Sequence, residues 1–190
     1  MSPPVYARAL SPVRADPRED ASQVTQALPG EPLVVEEERN GWARVRTTYD
    51  YPGWLRTDAL GGNADPDWLR EKPGDPVQEA RTYLGTPYLW GGMTEHGIDC
   101  SGLVHMSYRR LGRLIPRDAD QQEEAGAPVT EDELRPGDFV TYGDDSTTHI
   151  AFWLGDGRIL HSTERDGADG VLEEREPEEL RARRRKLVRI

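Results

Sequence analysis

The sequence contains one cysteine, no long apolar run and too few basic residues to balance its acids. A single cysteine, Cys100, excludes an internal disulfide, and a reducing compartment would keep its thiol free. No window approaches the ~20 apolar residues needed to cross a bilayer, so we expect no membrane partner. The formal net charge of −11 argues against a nucleic-acid partner, because phosphate neutralisation needs a basic face.

The first residues also lack a basic segment followed by an apolar one, which is the pattern of a secretory signal peptide. We therefore expect a cytoplasmic protein. Secretion is the alternative if the natural N-terminus lies upstream of Met1.

Residues 1–62 have the pattern of a small all-β domain. Two strand-like runs cover 32–38 and 42–47, and 51–55 reads as a turn leading into another short strand. Asn40-Gly41, between the first two runs, is a dipeptide typical of hairpin turns. Short strands with tight turns predict a small barrel. A short helical turn is expected at 21–27.

Residues 63–75 are rich in chain breakers and predict a linker to a second domain at 76–190. Asp75 can cap a helix whose first residue is Pro76. A longer helix is predicted from Cys100 to Leu111, ending at Gly112. Strands are expected over 138–142, 149–154, 158–163 and 186–190. Helices followed by strands indicate an α+β fold. The acidic run 173–179 and the basic run 181–186 are interpreted as solvated faces of a short helix.

Cys100 stands where a glycine-rich loop gives way to the predicted helix. The positive end of a helix dipole and its unpaired N–H groups favour a thiolate, the nucleophilic form of cysteine, and could stabilise an oxyanion. The alternative is a buried structural cysteine, which position alone does not exclude.

A nucleophilic cysteine needs a base, and His149 and His161 have the spacing of one β-hairpin centred on Gly155. In that register they face each other, so that one imidazole acts as base and the other orients it. His105 is about 140° round the helix from Cys100 and cannot easily reach it, whereas His96 could approach from the preceding loop. A zinc site is less favoured, because one cysteine and two histidines have no carboxylate at suitable spacing.

Several motifs, in this order along the chain, resemble the NlpC/P60 cysteine peptidases. They are Gly85-Thr86-Pro87-Tyr88-Leu89-Trp90-Gly91-Gly92, Asp99-Cys100-Ser101-Gly102-Leu103-Val104, Arg135-Pro136-Gly137-Asp138, His149-Ile150-Ala151 and His161-Ser162. The first domain resembles a bacterial SH3-like (SH3b) domain, through Tyr51-Pro52-Gly53-Trp54-Leu55 above all.

The resemblance implies a papain-like α+β catalytic domain preceded by a small all-β SH3-like barrel. It implies Cys100 as nucleophile, His149 as base and His161 as the orienting residue. It places Tyr88 at the family's active-site tyrosine and Asp99 and Ser101 beside the nucleophile as substrate-binding residues. Trp90 is a further substrate-binding candidate, with core packing as its alternative.

Three acidic or aromatic residues are candidates for binding the substrate's amino end. Arg117-Asp118-Ala119 resembles the Arg-Asp-Ser segment of members specific for a free L-Ala-γ-D-Glu end, so Asp118 could pair with the substrate ammonium. Ala119 here replaces the serine, which puts one hydroxyl contact in doubt. In those members the SH3b domain closes the groove, and Tyr51 and Asp16 are the candidates for its tyrosine and acid.

The expected function is hydrolysis of peptidoglycan stem peptides at the γ-D-glutamyl–diamino acid bond, without a cofactor. Recycled murein peptides with a free N-terminal L-Ala are the expected substrate, and protein partners are unknown. The alternatives are an exported cell-wall hydrolase anchored by its SH3b domain and a non-catalytic module that binds cell-wall peptides.

Overall fold

A computed structural model describes residues 4–190, which divide into two compact units between Arg70 and Glu71. The division falls inside 63–75, the predicted linker. Within the described residues, no helix combines the length and the apolar character that crossing a membrane requires.

The first unit is built from six strands in one antiparallel sheet. They are β1 (Val5–Tyr6), β2 (Ser11–Arg14), β3 (Gln23–Ala27), β4 (Pro32–Arg39), β5 (Trp42–Arg46) and β6 (Pro52–Arg56), and a 3₁₀ turn follows at Thr57–Ala59. Their order in the sheet is β1-β4-β5-β6-β2-β3. The β4–β5 turn uses Asn40 and Gly41 with positive φ angles of 49° and 79°, as the Asn-Gly dipeptide predicts.

The core of this unit consists of small and branched apolar side chains from the sheet, Val13, Ala27, Leu33, Val45 and Leu55 among them. The expected helical turn at 21–27 is wrong, because the structure has strand β3 there. Antiparallel pairing with β2, in which Val13 lies opposite Thr25, satisfies the backbone of this segment.

The second unit combines helices and an antiparallel sheet. Its helices are α1 (Pro76–Arg81), α2 (Cys100–Arg109), α3 (Ala119–Ala125) and α4 (Glu178–Arg181). Its strands are β7 (Met93–Thr94), β8 (Gly97–Ile98), β9 (Ala127–Pro128), β10 (Phe139–Tyr142), β11 (His149–Gly155), β12 (Arg158–Arg165), β13 (Ala168–Arg175) and β14 (Arg184–Arg189). Six of these strands form one sheet in the order β13-β12-β11-β10-β14-β9.

Helix α2 packs against one face of this sheet through aromatic contacts. The Phe139 ring on β10 lies 6.1 Å from Tyr108 of α2 and 5.0 Å from Phe152 of β11, measured between centroids. Helix α1 begins as its sequence predicts, since the Asp75 carboxylate accepts the Val77 N–H at 2.9 Å and Pro76 is the first helical residue. The predicted mixed α+β architecture is therefore confirmed.

The acidic run 173–179 is not the helix face that its composition suggests. Glu173 and Glu174 belong to strand β13, and only Glu178–Arg181 is helical. An unbroken register of eight residue pairs with β12 holds this strand, and that pairing overrides the helix preference of glutamate. Similarly, the second half of the basic run, from Arg184 to Lys186, joins β14, and there Arg184 donates to the buried Glu176.

Candidate active site

The start of helix α2 is held by a buried carboxylate. Asp99 is the N-cap residue, and its Oδ1 accepts the Gly102 N–H at 2.6 Å. Its Oδ2 accepts the Gly91 N–H at 2.8 Å, which ties the glycine-rich loop to the helix. Cys100, the first residue of the helix, thereby follows directly on a capping residue that is bonded both to the loop and to the first turn of α2.

Arg117 completes this arrangement from the segment before α3. Its guanidinium donates to both oxygens of Asp99, at 3.0 and 2.8 Å, and to Ser101 Oγ at 2.9 Å. Arg117 is 1% exposed, so the pair is a buried bidentate ion pair. Asp99 and Ser101 were predicted to bind substrate. In this structure they hold the helix start, and a substrate contact stays a prediction.

The Cys100 side chain is buried. Burial, and after it the charge of Asp99, raises the pKa of the thiol to about 12, although the backbone N–H groups of Ile150 and Ser101 act in the opposite direction. Desolvation therefore outweighs the helix N-terminus, which by itself favours the thiolate. The Ile150 contact places the sulfur at the beginning of β11, next to His149 in the chain.

The two hairpin histidines are in direct contact, with His149 Nε2 2.8 Å from His161 Nδ1. They do not lie directly opposite each other, as a loop centred on Gly155 would require. The turn is formed by Asp156 and Gly157, and the ladder pairs Phe152 with Leu160. That register makes the histidines diagonal neighbours on one sheet face, still within reach of each other.

The second histidine has a further partner that the sequence reading missed. His161 Nε2 lies 2.9 Å from Glu174 Oε1, and Arg165 Nη2 donates to both oxygens of Glu174 at 2.5 and 2.6 Å. The composition of 173–179 indicates a solvated helix, so nothing in the sequence linked Glu174 to the histidines; pairing with β12 is what places it beside them.

Burial also governs the titration of both histidines. It lowers the pKa of His149 to about 3, and the neighbouring His161 acts in the same direction. The pKa of His161 is lowered by burial as well, against the opposing hydrogen bond and charge of Glu174. Both imidazoles are thus neutral at rest beside a protonated thiol.

Tyr88 lies near the nucleophile in the loop before α2. The pKa of its hydroxyl is raised, first by burial and then by the neighbouring groups Cys100 and Asp99. Its N–H donates to Asp169 Oδ1 at 3.2 Å, so the start of β13 holds this loop. Trp90 is 63% exposed, which argues against the core-packing alternative for this side chain.

The remaining predicted residues are Asp118 in the second unit and Tyr51 and Asp16 in the first. Asp118 is the half-buried residue preceding α3. Tyr51 and Asp16 belong to the first unit, where the Tyr51 ring lies 6.2 Å from Tyr49 and Asp16 is exposed beside Arg18. Their contacts with substrate stay predictions.

The other two histidines have different surroundings. His105 is fully buried, with its Nδ1 2.9 Å from the Ile115 carbonyl, whereas His96 is exposed beside Glu95. Among residues 4–190, no three His, Cys, Asp or Glu side chains are arranged to hold a metal ion.

Comparison with known proteins agrees with this architecture. Residues 85–177 match the NlpC/P60 family, and residues 13–60 match the bacterial dipeptidyl-peptidase Sh3 domain. The chain is 33% identical, over 135 residues, to a gamma-D-glutamyl-L-lysine dipeptidyl-peptidase of Bacillus subtilis (strain 168). That alignment covers 69% of this chain and 44% of the relative, so the chain spans less than half of the relative's length.

Two solved structures extend the comparison. An NlpC/P60 family protein from Bacillus cereus ATCC 10987 aligns with 98% of this chain and 63% of its own, with a TM-score of 0.59 and 25% identity. The NlpC/p60 domain of the peptidoglycan hydrolase SagA is 31% identical, with a TM-score of 0.52 over 60% of this chain and 96% of that domain. The chain belongs to the NlpC/P60 family and carries a bacterial SH3 domain before its NlpC/P60 domain.

Proposed function

We propose that the chain is a cysteine peptidase that hydrolyses peptidoglycan stem peptides at the γ-D-glutamyl–diamino acid bond. The observation that carries the proposal is the placement of the only thiol, Cys100, at a helix start next to the strand that begins with His149. The hydrogen-bonded His149–His161 pair gives that strand a base and an orienting group. The family's peptidoglycan hydrolases support the substrate class.

In the resting site, the Cys100 thiol and the His149 imidazole are both uncharged. Because Cys100 and His149 are both poorly solvated, ionising either one alone is unfavourable. Moving the thiol proton to His149 creates two opposite charges together, whose attraction offsets part of the desolvation. We therefore expect the proton to move as the sulfur attacks the γ-carbonyl carbon of D-glutamate.

The reaction then proceeds as an acyl transfer through a thioester. The tetrahedral oxyanion is stabilised by N–H groups at the start of α2 and by the Tyr88 hydroxyl. His149 returns its proton to the departing amine of the diamino acid, leaving a thioester on Cys100. Water, deprotonated by His149, hydrolyses this thioester and regenerates the thiol.

The preferred substrate in this proposal is a soluble peptide with a free N-terminal L-Ala, as in murein recycling in the cytoplasm. The dipeptidyl-peptidase names of the Bacillus relative and of the matched SH3 domain support it. Asp118 supports it too, as a carboxylate that could pair with the substrate ammonium.

Product analysis of defined peptides tests both parts. We expect mass spectrometry to show L-Ala-γ-D-Glu and a free diamino acid from L-Ala-γ-D-Glu-L-Lys, and much less cleavage when the L-Ala amine is acetylated. Cys100→Ala should abolish cleavage, whereas Ser146→Ala, at an exposed residue of the β10–β11 loop, serves as the matched control. Undiminished cleavage by Cys100→Ala would refute the mechanism, and equal cleavage of intact sacculi would refute the recycling substrate.

A further inference from the structure

We propose that Glu174 and Arg165 are positioning residues that select the tautomers of both site histidines. Through them, the ring nitrogen of His149 that is not bonded to His161 is left unprotonated and able to accept a proton. The inference deepens the proposed function, on which its catalytic meaning rests. Its structural content concerns proton positions alone and can be measured without a substrate.

The outer end of this chain of contacts is the ion pair between Arg165 and Glu174. Arg165 Nη2 donates to both oxygens of Glu174, and an arginine always carries its proton. Both oxygens of the Glu174 carboxylate are therefore engaged as acceptors by a cationic donor. Toward the imidazole that it contacts, Glu174 Oε1 is likewise the acceptor.

The position of the proton on each imidazole follows from the acceptor role of Glu174. His161 Nε2, 2.9 Å from Glu174, must be the protonated nitrogen, and in a neutral ring this leaves Nδ1 as an acceptor. His149 Nε2, 2.8 Å from that Nδ1, must then carry the proton of its own ring. His149 Nδ1 is consequently the nitrogen with a free lone pair, as a general base toward Cys100 requires.

The sheet gives this relay a rigid frame. Arg165 and His161 lie four residues apart on β12, so alternation directs both side chains to one face. Strand β13 runs beside them with eight residue pairs and no shift in register, and His161 lies opposite Leu172, two residues from Glu174. Glu174 is therefore the diagonal neighbour of His161 on that face. His161 is fully buried, which leaves its Nε2 no water as a substitute partner.

Two substitutions of Glu174 separate acceptor capacity from charge. In Glu174→Gln the side-chain oxygen can still accept from Arg165 and from His161, so both tautomers should persist. In Glu174→Met only a weak thioether acceptor remains, so the His161 proton is better satisfied on Nδ1, toward His149 Nε2. The His149 proton then moves to Nδ1, and the ring cannot act as base.

The matched control is Glu173→Met, which makes the same change one residue away. Glu173 bonds Arg81 at 2.6 Å and lies 3.6 Å from Arg158, on the opposite face of β13 by alternation. If Glu174→Met does not fold because it strands Arg165, the double variant Glu174→Met/Arg165→Met removes the unpaired cation and carries the same test.

Nitrogen-15 correlation spectra of histidine-labelled protein read the tautomers directly, with His96 and His105 as internal references. We expect Nε2–H at both His149 and His161 in the wild type, Glu174→Gln and Glu173→Met, and Nδ1–H at both in Glu174→Met. An unchanged Nε2–H form of His149 in Glu174→Met would overturn the proposal. So would Nδ1–H in the wild type.

Kinetics with the L-Ala-γ-D-Glu-L-Lys peptide supply the second measurement. Because the wrong tautomer removes the base, Glu174→Met should lower kcat on the order of 10⁴-fold with little change in KM, while Glu174→Gln retains most of the activity. Equal loss in both variants would overturn tautomer selection in favour of a charge effect. If the wild type cleaves no peptide, the proposed function fails, and the spectra alone decide the tautomer proposal.

Discussion

Removing Arg117 should destabilise the second unit far more than removing an exposed arginine in a comparable ion pair. Arg117→Met eliminates both charged hydrogen bonds to Asp99 and the bond to Ser101. Methionine fills much of the arginine stem's volume, so the packing loss is limited. The Asp99 carboxylate, with an 8% exposed side chain, then keeps only neutral donors: the Gly91 and Gly102 amides and, at 3.4 Å, the Ser101 hydroxyl.

The magnitude follows from the burial of that carboxylate. Removing one partner of a buried ion pair costs about 3–5 kcal/mol, because an uncompensated charge stays in a poorly solvated place. A domain's whole free energy of unfolding is roughly 5–15 kcal/mol, so the variant should lose a large share of its stability. Arg183→Met is the matched control, since Arg183 pairs at 3.0 Å with an exposed Asp144. Exposed pairs contribute only about 0–1 kcal/mol.

Urea unfolding followed by the helical circular-dichroism band is the appropriate assay. The four α-helices found in residues 4–190 all lie in the second unit, so this signal reports that unit selectively. We expect a reduced unfolding midpoint for Arg117→Met and almost none of that reduction for Arg183→Met. A loss below about 1 kcal/mol for Arg117→Met would refute the claim that Asp99 depends on a buried partner.

Two further variants test other parts of the second unit. His105 is buried with its pKa lowered to about 3, so the unfolded state, with a pKa near 6.5, binds a proton first as pH falls. The free energy of unfolding should therefore fall by about 2 kcal/mol through His105 as the pH drops from about 7 to about 5, and His105→Asn should remove that part of the pH dependence of urea unfolding. Gly170→Ala should lower both stability and peptidase activity, because the new Cβ would lie 2.2 Å from the Thr86 carbonyl oxygen at a φ of +99°. Kinetics equal to those of the wild type would contradict this prediction.

Local signals in the sequence were sufficient for the elements that are bounded by turn or capping residues. Asn40-Gly41 predicted a hairpin and Asp75-Pro76 a helix start, and both have the expected backbone in the structure. Gly112 has the positive φ angle of a helix-ending glycine, although the Cys100 helix finishes at Arg109 and not at Leu111. In each case the cause acts within a few residues, through a positive φ angle or a side-chain cap.

Nonlocal interactions explain what the sequence could not predict. Glu173 and Glu174 are helix formers by composition, but pairing with β12 makes them strand residues. The raised pKa of the Cys100 thiol could not be predicted for a similar reason. A helix N-terminus is visible in the sequence, whereas the burial that outweighs it exists only after folding.

Strand β13 contacts two parts of the proposed site. Its early residues hold the loop that contains Tyr88, through the Asp169 side chain and the close approach of Gly170 to Thr86. Its later residue Glu174 bonds His161. One strand without a nucleophile or base thus contacts both the oxyanion side and the base side of the proposed site. Its register with β12 therefore sets the two sides relative to each other, and a one-residue slip would turn Glu174 to the opposite face and break the histidine relay.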